Sequence, residues 1–179
     1  NKFLSSTCSY FNFTASHDGI GVRPLEGLVP AERIQNLADH ARKRGGHVGT
    51  RRKPDGTDSP YELNLTYLDF LLTEVESETP GIERFVSSQA MMLALKGIPG
   101  IYFNSLFGIG NDPEGVESSG IPRRINRKKF ESAELLDMLA GDSISGRIFV
   151  RLRKLVEIRR SCSAFHPDAL QEVGELPDS

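Results

Sequence analysis

Tryptophan is absent from this 179-residue chain, cysteine occurs only twice, and no apolar run is long enough to span a bilayer. Cys8 and Cys162 stand far apart in no metal-ligand spacing, and a secreted disulfide scaffold would carry more. They read as two thiols of a reducing cytoplasm. The longest apolar stretch, residues 90–95, is broken by Lys96 and Gly97, which excludes a membrane-spanning helix. Neither charge sign is in excess: 22 Lys and Arg stand against 24 Asp and Glu, a net charge of −2. With no aromatic residues interleaved in the basic runs, nucleic acid is not an expected partner. A start methionine and a secretion signal are also missing, so the chain is expected to be trimmed or taken from the middle of something longer. Two Asn-X-Thr sequons, at Asn12 and Asn64, are read as chance matches.

What is there is an ordinary globular composition, 38% hydrophobic and 26% charged, which excludes collagen, coiled coil and wholesale disorder. Residues 10–15 alternate aromatic and small polar side chains, and read as a strand running into the loop Ser16-His17-Asp18-Gly19-Ile20-Gly21. A helix starts near Pro30, with Ile34, Leu37, Ala38 and Ala41 on one face, and stops at Gly45-Gly46. Residues 47–60 are polar and turn-rich, and read as a mobile loop. A short strand at 61–65, a helix at 66–75 and a break at Thr79-Pro80-Gly81 follow. The helix at 82–96 is apolar almost all round and should be buried on both sides. Residues 98–103 read as a buried strand, 108–127 as a long Gly/Pro-rich loop, and 131–139 and 145–160 as helices. Long insertions placed directly after strands suit an α/β barrel, whose active-site loops follow its strands at one face. Two barrel-like strands make only the last quarter of one.

Chemistry concentrates in few places. His17-Asp18 directly follows a strand, where α/β proteins bind ligands, although such a pair also serves as an ordinary loop contact. Gly19-Ile20-Gly21 is half a dinucleotide fingerprint without its third glycine or a prompt helix, and is rejected. Three basic clusters, 42–44, 51–53 and Arg123-Arg124 with 127–129, offer anion capture against a solvated charged face. The third lies in the Gly/Pro-rich loop after a strand, which favours function there. No nucleophile elbow exists, and Cys162 has only His166 nearby. His17, His40, His47 and His166 show no metal-ligand spacing; His40 is expected on a helix face and His47 in a loop.

The run Phe11 to Gly21 resembles the fourth conserved region of glycoside hydrolase family 13, the α-amylase superfamily, spanning barrel strand seven. Its His-Asp-Gly-Ile-Gly form is similar to the sucrose phosphorylase and glucosylglycerate phosphorylase branch. Tyr61-Glu62-Leu63-Asn64-Leu65-Thr66-Tyr67 resembles that branch's acceptor loop, and residues 97–103 its strand eight. Gly110-Asn111-Asp112 and Arg123-Arg124-Ile125-Asn126-Arg127 resemble the loop after it. The resemblance implies an α/β fold, the C-terminal part of a (β/α)8 barrel with a small lobe inserted after strand seven. Residues 1–21 and 80–165 would be barrel, 22–79 the lobe with its acceptor loop, and 166–179 the start of a C-terminal β-domain.

By the same resemblance, Asp18 is the transition-state-stabilising carboxylate and His17 its neighbour on the glucosyl ring. Tyr61, Glu62 and Arg123 would hold phosphate or the acceptor. The implied reaction is retaining transfer of a glucosyl unit from a small α-glucoside to phosphate, giving glucose 1-phosphate. Phosphate is then a co-substrate, with no metal and no other cofactor. Two departures matter: Glu62 stands where sucrose-specific members carry Gln, and Ser59-Pro60 replaces a stretch with Asp. Both favour glucosylglycerate or sucrose phosphate over sucrose. The nucleophilic Asp and the acid/base Glu would precede Asn1, so the chain alone is expected to be inactive. A family-13 hydrolase segment and a non-catalytic sugar- or anion-binding module are the alternatives.

Overall fold

The computed structural model describes residues 8–72, 78–170, 172 and 174. Its elements are β1 (Phe11–Asn12), β2 (Ile20–Gly21), α1 (Ala31–Lys43), β3 (His47–Arg52), β4 (Asp58–Asn64), α2 (Tyr67–Leu71) and α3 (Glu78–Ala94). They continue with β5 (Ile98–Pro99), α4 (Phe103–Leu106), α5 (Pro113–Ser119), α6 (Ser132–Ala140) and α7 (Ile144–Ser161). The fold is mixed α/β, and none of its helices among the described residues is long and apolar enough to cross a membrane.

Two cores form. In the first, the antiparallel sheet β2-β4-β3 packs on α1, whose buried Ile34, Ala38 and Ala41 meet Val22, Leu63 and Leu65. The helix ends as expected at Gly45, with φ of 75°, while Gly46 returns its N–H to the Ala41 carbonyl. In the second, Ile82, Phe85 and Val86 of α3 meet Leu68 and the fully buried Ile148 and Leu152 of α7. A separate two-stranded sheet pairs β1 and β5 in parallel, Phe11 opposite Ile98 and Asn12 opposite Pro99. Arg159 of α7 ties the two regions of this half together by donating to the carbonyls of Leu93 and Gly97.

Several expectations needed correction. Residues 47–60 are no loop but most of the β3–β4 hairpin, turned at Asp55-Gly56. Gly56 supplies a φ of 84°, and the Asp55 carboxylate accepts from the Thr57 N–H (2.9 Å) and hydroxyl (2.6 Å). An edge strand with a solvated face carries little hydrophobic alternation, which is why β3 reads as loop; His47, expected in a loop, is its first residue. The strands at 10–15 and 98–103 shrink to two residues each; Pro99 has no N–H to extend a ladder, and Phe103 already opens α4.

Thr79-Pro80-Gly81 is no break. It lies in the first turn of α3, where the missing proline N–H costs no helical bond. Nor is α3 buried all round, since Met91 is 68% exposed. The loop at 108–127 contains α5, capped by Asp112 and stopped at Gly120, and a 3₁₀ turn over Pro122–Asn126. The end of the helix expected at 66–75 falls outside the described residues. So does most of 171–179, and what is described of 166–179 forms no strand.

Candidate functional site

The site begins with a tight turn. After β1, Ser16 and Gly19 exchange backbone hydrogen bonds of 2.9 and 3.1 Å, and the Ser16 hydroxyl accepts from the Asp18 N–H. The turn needs glycine for two reasons: Gly19 has φ of 121°, and a Cβ there would lie 2.0 Å from the Leu63 carbonyl oxygen of β4. Gly21 meets no such contact, so the packing against β4 requires only the first of the two glycines. Gly19→Ala is expected to cost the protein about 2–3 kcal/mol, from backbone strain and overlap with β4. Thermal unfolding at an unchanged midpoint would count against this account of the turn.

Three successive carbonyls of the turn are each held from outside. Asn126 Nδ2 donates to Ser16 O (2.7 Å), Arg127 Nε to His17 O (3.2 Å) and Asn64 Nδ2 to Asp18 O (2.8 Å). Asn126 is itself anchored through its own carbonyl, which accepts from the Tyr102 hydroxyl at 2.8 Å and Asn104 Nδ2 at 3.3 Å. Burial pushes the Tyr102 phenol above its ordinary pKa, so it remains a donor at neutral pH.

Around the Asp18 carboxylate stand two guanidinium groups. Arg127 Nη2 lies 2.5 Å from Asp18 Oδ1 and Arg123 Nε lies 3.5 Å from the same oxygen. His17 Nε2 is also 3.5 Å away, on a largely exposed ring. The same edge of Arg123 meets β4, where Nε and Nη2 both lie 3.0 Å from Glu62 Oε2 and Nη2 donates to the Tyr61 hydroxyl at 3.0 Å. The hydrogen bond to the Glu62 carboxylate raises the Arg123 pKa further, so this cation is permanent.

Neighbours in a regular strand point to opposite faces, yet Tyr61 and Glu62 reach the same guanidinium. A bulge explains this. Gly49 pairs with Glu62 and Thr50 with Pro60, leaving Tyr61 as the extra residue on β4. Its ring packs over Gly49, where an added Cβ would lie 3.0 Å from the ring edge. Pro60 marks the spot, since a proline inside a strand belongs at a bulge or an edge.

The structure therefore brings together all five residues singled out in the sequence: His17, Asp18, Tyr61, Glu62 and Arg123. It adds Arg127, Asn64, Asn126 and Tyr102. Arg127 was visible in a basic cluster without a stated role, and Asn64 was passed over as a sequon. Both sequon amides are engaged, since Asn12 Nδ2 donates to Lys96 O at 3.0 Å. Asn111 is a structural clasp rather than a site member, accepting from the Thr66 N–H and donating to Arg44 O. The basic residues 42–44 and 51–53 lie elsewhere: Arg42 pairs with Asp39, and Arg51 with Glu26.

Beside His17 opens a shallow apolar cavity of about 210 Å³, lined by Phe11, Phe13 and Tyr102 among others. A carboxylate, two fixed cations and a phenol next to an apolar wall can stabilise a developing cation and hold an oxyanion. Among the described residues no group of three His, Cys, Asp or Glu side chains could hold a metal ion.

No family model matches the chain. It is 42% identical to a glucosylglycerate phosphorylase of Escherichia coli (strain K12), over 92% of this chain and 30% of that protein. It is 44% identical to a glucosylglycerate phosphorylase of Allomeiothermus silvanus, over 94% of this chain and 31% of that protein. Among solved structures it superposes on sucrose 6F-phosphate phosphorylase from Thermoanaerobacter thermosaccharolyticum. The TM-score is 0.73 at 26% identity, covering 87% of this chain and 30% of that one. The chain spans about 30% of the length of the curated relatives it matches. Its homologues are glycoside phosphorylases, and the resemblance of the sequence to that branch is borne out.

Proposed function

We propose, from the premise that the chain is homologous to the glucosylglycerate and sucrose phosphorylases, that it supplies the closing portion of a (β/α)8 catalytic barrel. In this reading β1 and β5 are barrel strands seven and eight, and the sheet β2-β4-β3 with α1 is the lobe inserted between them. The parallel β1–β5 pair supports it, as do the apolar Phe11 and Phe13, exposed where further barrel strands would pack. Enzymes of this architecture work at the carboxyl ends of the strands, where loops from different strands converge.

The observation that carries the function is that convergence. The loop after β1 brings Asp18, the segment after β5 brings Arg123 and Arg127, and β4 brings Tyr61 and Glu62, all within one chain of contacts of 2.5 to 3.5 Å. We assign Asp18 to stabilising an oxocarbenium-like transition state, and His17 to a hydrogen bond with the glucosyl ring. Arg123 and Tyr61 take phosphate, and Glu62 takes a hydroxyl of the departing acceptor. The donor is a small α-glucoside, glucosylglycerate ahead of sucrose phosphate and sucrose, and the product glucose 1-phosphate. The setting we propose is cytoplasmic.

Retaining chemistry needs two further carboxylates about 5–5.5 Å apart as nucleophile and acid/base. No residue described here is assigned to either role. The full-length protein is expected to release glucose 1-phosphate from glucosylglycerate only when phosphate is present, and the 179-residue chain alone to release none. Release without phosphate would point to a hydrolase, and release by the 179 residues alone would overturn the division of labour.

A further inference from the structure

Asn64 closes β4 as a buried residue, 4% exposed, and its one amide nitrogen spends both hydrogens inside the site. Nδ2 lies 2.8 Å from the backbone oxygen of Asp18 and 2.7 Å from Glu62 Oε2. The two-residue period of a strand puts Asn64 and Glu62 on the same face. The tight approach of Gly19 to Leu63 and Asn64 brings the Asp18 carbonyl within reach. The amide orientation follows from chemistry, because a flipped Asn64 would set its oxygen against a carbonyl and a carboxylate.

From this we infer that Asn64 is a positioning residue. It couples the acceptor-side carboxylate of Glu62 to the turn that carries Asp18, and the inference rests on the roles proposed for those two residues. Glu62 Oε2 accepts two hydrogen bonds, from Asn64 Nδ2 and Arg123 Nε, with Arg123 Nη2 ion-paired 3.0 Å away, while Oε1 has no hydrogen bond among the described residues. One oxygen is therefore committed to holding the carboxylate still and the other is presented for a hydroxyl of the acceptor. Arg123 alone could not do this: its guanidinium is shared with Asp18 and Tyr61 and is half-buried. Asn64 is the contact that relates the acceptor carboxylate to the backbone of the stabilising residue. A shift of either would be transmitted to the other.

The test uses the full-length protein in the direction of synthesis, with glucose 1-phosphate and glycerate as substrates. Losing a buried hydrogen bond to a charged group costs about a factor of ten or more. Asn64→Ala is expected to raise the KM for glycerate about tenfold and lower kcat about tenfold, with the KM for glucose 1-phosphate within about twofold. Asn64→Ser keeps one donor and should recover part of the loss; if Asn64→Ala fails to fold, Asn64→Ser carries the same comparison. In the double variant with Glu62→Gln, the rise in glycerate KM should not exceed that of Glu62→Gln alone, because both changes break one unit. Additive losses, or equal rises in both KM values, would make Asn64 a merely structural residue and overturn the inference. A Glu62→Gln variant with unchanged glycerate KM would instead overturn the reading of Glu62 beneath it.

Discussion

Asp18→Asn in the full-length protein is expected to cut glucosyl transfer about 10³-fold, while the KM for the glucosyl donor moves less than about threefold. Asn is nearly isosteric and its oxygen can still accept from Arg127, which sits 2.5 Å from Oδ1. What the change removes is the negative charge. That charge acts on a cation that develops only in the transition state, so kcat carries the loss and binding does not. The turn itself should survive, because the carbonyls of Ser16, His17 and Asp18 are held by Asn126, Arg127 and Asn64 and not by the carboxylate. Steady-state kinetics beside circular dichroism make the measurement, and a folded variant within tenfold of the parent would remove Asp18 from its assigned role.

Arg123→Ala should separate phosphorolysis from hydrolysis. Release of glucose 1-phosphate at low phosphate is expected to fall about 100-fold, and hydrolysis of the same glucoside less than about threefold. Tyr61 and Glu62 hold the Arg123 guanidinium through Nε and Nη2 at 3.0 Å, which fixes a planar cation whose Nη1 end is, among the described residues, left for phosphate oxygens. Water asks for no such cation. Arg123→Lys should recover little, since an ammonium cannot span two oxygens in one plane. The readout is the ratio of the two rates across a phosphate titration. An equal fall in both would mean that Arg123 serves Asp18, 3.5 Å away, rather than phosphate.

How much was legible beforehand differs from element to element. Helices α1 and α7 could be read within about a residue or two, because an amphipathic helix announces its buried face every three to four positions. The β3–β4 hairpin could not. Strand β3 lies at a sheet edge, and its polar side chains follow the rules of a solvated surface. Pro80 was read as a stop, although the same residue in a first helical turn is a start; only the position of the helix distinguishes the two.

The site divides along the same line. Local order along the chain singled out His17-Asp18 and the arginine cluster as candidates. His17-Asp18 follows a strand directly and the arginines lie in a Gly/Pro-rich stretch, whereas Tyr61 and Glu62 were singled out only by the resemblance of their segment to an acceptor loop. Partnership was decided by the tertiary structure alone. Arg127 meets a carboxylate 109 positions away, and Tyr61 and Glu62 face one arginine because a bulge rotates one of them. Asn64 changes from a chance sequon to the joint between two carboxyl-bearing segments. Such contacts leave no periodic trace in the sequence, because they depend on how a two-residue strand pairing and one glycine turn bring distant backbones together.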